Sequence, residues 1–306
     1  MAHSSFESRR SALQLTAGLG LYAALARPSR AATPDLTREE FAGRAWSENL
    51  SQADATLRYL AYYAHQLRRP YAPPRLAALP DQAVVKAFDD LLLIVFHTAD
   101  QDVARHLLQV HEVLLQRGLA MPAQLQRSYD ACYSSRLFAP AAQLAQRFPG
   151  QLEVSPLIHV AADAGIGVPT LIRLVSGRRE LYATRYVMPL RPTVIMIGDP
   201  GCHFSRAATD ALTRDAALMR RFDGTLQLLA PHALRLRFDD YAEWNAQHPA
   251  LPMAIAYHWR GWPMLDVRST PVFYFFNDGK VRHVAAGWRD DTAKDGLIAG
   301  LAAIGL

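Results

Sequence analysis

One short segment constrains the fold of this chain more than any other: Asp199-Pro200-Gly201-Cys202-His203-Phe204-Ser205. Before it runs Thr193-Val194-Ile195-Met196-Ile197, a stretch of β-branched and apolar residues that reads as a buried strand. After it, Arg206-Ala207-Ala208-Thr209-Asp210-Ala211-Leu212 has helical composition and spacing. The chain must therefore leave a strand, turn tightly at Pro200-Gly201, and enter a helix at Cys202. A cysteine there sits at the positive end of the helix dipole, where its thiolate is stabilised. The plain alternative is an inert cysteine buried at a structural turn.

A second element follows about 65 residues on. Ser269-Thr270-Pro271 opens the apolar run 272–276, which Asn277-Asp278-Gly279 closes as a hairpin turn. Taken together, the Asp-Pro-x-Cys-x-x-Ser turn and the downstream Thr-Pro strand resemble the thioredoxin superfamily. The lead-in looks most like the periplasmic disulfide isomerase and oxidase branch. That resemblance covers residues 193–306, with 172–190 as an extension, and implies a thioredoxin-like fold. It also implies a cis Thr270–Pro271 bond facing the reactive sulfur, and substrate pairing at Thr270 and Pro271.

Ser205 stands where that branch has its second cysteine. A dithiol site frees a trapped partner by attack from its own second sulfur. Here Cys202 can attack, but Ser205 cannot resolve. Release must come from the substrate's own thiol, from a small thiol, or from Cys132, the one other cysteine and the candidate resolving thiol. The expected catalytic set is Cys202, with Ser205 and His203 tuning its sulfur. The expected partner is a protein or a small, glutathione-like disulfide. The aromatic segment around Trp259 and Trp262 is read either as an apolar lip that helps bind substrate or as core filling. The sequence shows no CxxC, zinc spacing or haem motif, and implies no cofactor and no metal.

The expected order from residue 151 is β-β-β-α-β-α-β-β-α, with a helical stretch at 238–256 and a closing helix at 291–304. Upstream, residues 37–149 hold helical patterns and no strand alternation. A helix start is read at Leu36-Thr37-Arg38-Glu39-Glu40, and helices at 51–68, 81–98, 100–117, 122–134 and 139–147. Aligning Ala104 with Ala141 or Ala142 gives an offset near the tetratricopeptide period, so a stack of helical hairpins and a generic bundle both stay open. The fold class is thus α+β in two domains, a helical module at 37–150 and a thioredoxin-like α/β domain at 151–306.

Residues 1–31 read as a twin-arginine-type signal peptide. Ser8-Arg9-Arg10-Ser11-Ala12-Leu13 precedes a mildly apolar run, and Ser29-Arg30-Ala31 offers small residues for cleavage. The chain is then expected in the periplasm or otherwise exported, with no membrane span after cleavage. Four arginines against one glutamate in this segment account for +3 of the net charge of +5. The remainder is nearly neutral and has no Lys/Arg run long enough for a phosphate-tracking patch, which argues against nucleic acid. Two function classes remain. One is monothiol thiol–disulfide exchange through Cys202, of isomerase or reductase type. The other is a catalytically inactive thioredoxin-like scaffold that binds a protein partner through its helical module.

Overall fold

The computed structural model describes residues 51–306 apart from Ser176, Asp223, Val267, Arg268 and Asp291. The signal peptide and the helix start at residues 36–40 lie outside the described residues.

The helical part comprises α1 (Gln52–Tyr62), the short α2 (Pro73–Leu76), α3 (Asp81–Thr98), α4 (Gln101–Gln116), α5 (Pro122–Ser134) and α6 (Phe138–Arg147). Local chemistry sets the ends. The Ser51 hydroxyl accepts from Asp54 N at 3.1 Å to start α1, which ends in a wider π turn over Tyr63–Leu67. Between α3 and α4 only Ala99 and Asp100 intervene. Ala99 takes a left-handed φ of 47°, and the Asp100 carboxylate accepts from Asp102 N and Val103 N at 2.9 and 3.2 Å. That stop and start, two residues apart, fold α3 and α4 into an antiparallel hairpin. Val84, Phe88, Leu91 and Val95 of α3 and Val103, Leu107, Val110 and Leu114 of α4 recur at helical spacing and are buried. Arg117 secures the preceding segment, donating to the carbonyls of Leu76, Ala77 and Leu79 and to Asp81.

Eight strands form one mixed sheet in the order β1-β3-β2-β6-β5-β4-β7-β8. They are β1 (Leu157–Val160), β2 (Thr170–Leu174), β3 (Glu180–Arg185), β4 (Thr193–Ile197), β5 (Leu226–Ala230), β6 (Met253–Ala256), β7 (Val272–Asn277) and β8 (Lys280–Ala286). Between them run α7 (His203–Arg214), α8 (Ala216–Phe222) and α9 (Phe238–Gln247), and α10 (Ala293–Ala303) closes the chain. β4 lies parallel to β5 and antiparallel to β7, with Ile197 opposite Val272. All five residues of β4 are buried, as a central strand covered on both faces requires. α10 packs closely on β7: a Cβ at Gly300 would overlap the Phe275 ring. A helical part followed by this α/β sheet is the expected fold class.

Three elements of the α/β part differ from the sequence reading, and the short helix α2 was not expected in the helical part. The helix expected over 238–256 ends at Gln247, and Met253–Ala256 is a strand beside β5. Pro249 and Pro252 deny the helix its continuing N–H donors, and the four apolar residues after them fit a fully buried strand. β1, four residues on the sheet edge, and the short helix α8 were too brief to show a periodicity.

The helical part meets the sheet at the C-terminal ends of β5 and β6. Arg136, at a φ of 62°, donates through Nε and Nη2 to the Tyr257 carbonyl just beyond β6, Nε at 2.7 Å. Trp259 Nε1 donates to Thr98 O at 2.8 Å, and Arg260 pairs with Asp100 at 3.0 Å. His232, just beyond β5, lies 2.7 Å from Ser134 O through Nε2. Among the described residues, no helix is long and apolar enough to cross a membrane.

Candidate functional site

Cys202 lies at this same end of the parallel strands, just beyond β4. Buried Ile197 fixes the strand end, and Gly198 N donates to Leu229 O at 3.0 Å. Asp199-Pro200-Gly201 then makes the turn, with Cys202 N donating to Asp199 O at 3.0 Å. The Asp199 carboxylate accepts from Gly201 N at 2.7 Å. Cys202 is the N-cap of α7, with φ −87° and ψ 117°. It is partly exposed, and its sulfur is a free thiol.

Several groups converge on that sulfur. As a thiol it donates to the Thr270 carbonyl oxygen at 3.6 Å. The Thr270–Pro271 bond is cis, and Pro271 O accepts from Gly287 N at 2.9 Å, which ties the loop to the end of β8. Ser205 is completely buried, and its hydroxyl accepts from Asp199 N at 3.2 Å. Partial burial pushes the Cys202 thiol up. Hydrogen bonds with the Thr270 side chain, with the N–H and hydroxyl of Ser205 and with the N–H of Phe204 outweigh it, leaving the pKa below that of an ordinary thiol. Donors aimed at the anion at a helix start are the physical cause.

His203 is exposed and turned onto Phe204, ring centroids 3.8 Å apart. It is not among the groups that move the Cys202 pKa. Trp262 is only 1 % exposed and belongs to the core with Leu171, Ile195, Leu229 and Tyr274. Its ring packs on Tyr186 at 5.5 Å. The lip reading of Trp262 therefore gives way to core filling: a flat apolar side chain in this position gains more from burial under the sheet than from solvent contact. Cys132 is fully buried in α5, and burial pushes its thiol up to about 12. In the structure the two cysteines are unbridged.

Sequence reasoning missed Arg237. Its Nη2 donates to the Asp199 carboxylate at 2.7 Å and its Nη1 pairs with Asp240 at 2.9 Å. The guanidinium also lies so close to Gly201 that a Cβ there would come within 2.6 Å of Nη1. Arg237 thus braces the turn that presents Cys202, from 38 residues away. No local motif marks it.

A parallel β4–β5 pair joined through α7, flanked by antiparallel β7 and β8, with a cysteine at the first strand-to-helix turn facing a Thr-Pro loop, defines a thioredoxin-like fold. No family model matches the chain, and none of the curated proteins does. Eight chains among the solved structures match. A thioredoxin-like protein from Bacteroides caccae is 15% identical with a TM-score of 0.28, over 82% of this chain and 88% of its own. A provisionally assigned thiol:disulfide interchange protein DsbE from Chlorobium tepidum is also 15% identical, at a TM-score of 0.29, over 46% of this chain and 99% of its own. The N-terminal domain of PilB from Neisseria gonorrhoeae is 19% identical at a TM-score of 0.27, over 36% and 76%.

Proposed function

We propose that this chain is an exported protein that performs monothiol thiol–disulfide exchange through Cys202. In this reading residues 1–31 form the twin-arginine signal, and 37–150 and 151–306 the two domains. The observation that carries it is the environment of one sulfur: partly exposed, at a helix start, facing Thr270, with a pKa held below the ordinary thiol value. The Cys202 thiolate attacks one sulfur of a disulfide. A bond forms between Sγ and that sulfur, the original disulfide bond breaks, and the other half leaves as a thiolate with the bonding electron pair. Ser205 offers no second sulfur, so a thiol of the substrate or of the medium completes the exchange by the same displacement. Ser205 and Thr270 stabilise the attacking anion.

Trapping tests this reading. Incubating the protein with a disulfide should yield a mixed disulfide on Cys202 that persists until a thiol is added. Absence of any adduct on Cys202, with the folded protein intact, would overturn it.

A further inference from the structure

The proposed exchange leaves its substrate unnamed, and a hollow beside the Cys202 turn narrows the choice. It has a volume of about 340 Å³ and is bordered by Gly201, Arg206, Arg237, Asp240, Glu243 and Trp244. That is the lower end of the roughly 300–1,000 Å³ typical of small-molecule sites. Gly201, the residue before the nucleophile, forms part of its rim, with the Arg237 guanidinium packed against it. Trp244, 3 % exposed, gives it an apolar wall.

The charges around it are unequally matched. Arg237 is satisfied on both terminal nitrogens, by Asp199 and Asp240. Arg206 is exposed, and among the described residues its one hydrogen bond is a long 3.4 Å to Pro200 O. No carboxylate among the described residues pairs with it. Glu243 is exposed as well; it accepts from Gln247 Nε2 at 2.9 Å and pairs with no cation among the described residues. One uncompensated cation and one uncompensated anion therefore border the same hollow, whose rim includes Gly201, the residue before Cys202.

We propose that this hollow is a binding site for the charged head of a small, amino-acid-derived disulfide, with Arg206 taking its carboxylate and Glu243 its ammonium. The proposal rests on the exchange reading above. A cysteine inside a polypeptide carries neither charge, so the site selects free amino-acid-type thiols over protein chains. The displacement is the one already written: Sγ bonds to the near sulfur, and the far half leaves as a free thiolate. A different thiol from the medium then attacks the near sulfur, forms a mixed disulfide with it, and Cys202 leaves as its thiolate.

The test is the single-turnover rate of Cys202 in a Cys132→Ala background with four disulfides, each rate divided by that of uncharged bis(2-hydroxyethyl) disulfide. The other three are cystine, which carries both charges, diacetylcystine, which carries carboxylates only, and cystamine, which carries ammoniums only. Cystine should give the highest ratio. Arg206→Gln should lower the cystine and diacetylcystine ratios by about tenfold, and Glu243→Gln the cystine and cystamine ratios by a similar factor, as removal of one charge contact in a partly exposed site implies. Unchanged ratios in both variants would overturn the site. So would a blocked peptide disulfide that outpaces cystine, since it makes a polypeptide the substrate. If none of the four disulfides reacts, the exchange reading itself falls.

Discussion

The Cys202 sulfur and the Thr270 carbonyl oxygen stand 3.6 Å apart, although 68 residues separate them in the chain. Burial opposes ionisation, as does the carbonyl that accepts from the thiol, while the Thr270 side chain, the N–H and hydroxyl of Ser205 and the N–H of Phe204 favour it. Because the sum favours the anion, the balance is readable in solution. Alkylation of the Cys132→Ala protein should follow the thiolate fraction, slow at acid pH and rising to a plateau. Its midpoint should lie below the free-thiol value of about 8.5. A midpoint at or above that value would leave Cys202 an unactivated thiol. Cys132 in the wild type should label only after denaturation, since its thiol is buried and pushed up to about 12.

Ser205 lies one helical turn beyond Cys202 and is wholly buried beneath it. Ser205→Cys should supply the missing resolving sulfur in place. The expected result is an internal disulfide, seen by mass spectrometry as the loss of two hydrogens, and a mixed disulfide about tenfold or more shorter-lived than in the parent. Ser205→Ala should instead raise the midpoint of Cys202 alkylation, because one donor to the thiolate is gone.

The Arg237 brace predicts a coupling. Gly201→Ala should destabilise the protein by about 1–2 kcal/mol, because the new methyl meets the guanidinium. In an Arg237→Ala background the same substitution should cost far less. A double-mutant cycle by denaturant unfolding measures the difference, and strict additivity would refute the contact.

His258 makes acid stability a readout of the seam between helices and sheet. Burial first, then the nearby Arg136 and Arg260 cations, hold its pKa down to about 4, although the Ala99 carbonyl pulls the other way. The folded state thus keeps the imidazole neutral while the unfolded chain takes a proton near 6.5. Stability should fall as pH drops below that value and level off below about 4, a total of about 3 kcal/mol from this residue. His258→Gln, which can still accept from Arg260 N, should flatten that slope in urea titrations at fixed pH.

Where the sequence carries its own punctuation, the fold was legible. Helices α3 and α5 begin at or just after prolines, and their ends agree with the reading at both termini. β4 and the turn to Cys202 were legible because a buried apolar strand must be stopped by Asp-Pro-Gly. Strand β6 was not, since four apolar residues fit a helix end as well as a strand until the sheet supplies a neighbour. The choice left open at Trp262 has a similar cause. Tyr257, Trp259 and Trp262 show aromatic density, and only the packed structure tells which ring faces solvent. Arg237 was beyond reach, because its meaning lies wholly in Asp199 and Gly201, far away in the chain.

Arg136 reaches past the sheet's edges to its middle. The Tyr257 carbonyl that it grips belongs to the residue after β6, and Tyr257 N in turn donates to Thr170 O at the head of β2. Both are interior strands of the eight. Prising the helices away therefore strips donors from the centre of the sheet rather than from a replaceable margin. The helical part and the sheet should accordingly melt together, in one cooperative transition in a calorimeter, rather than one after the other.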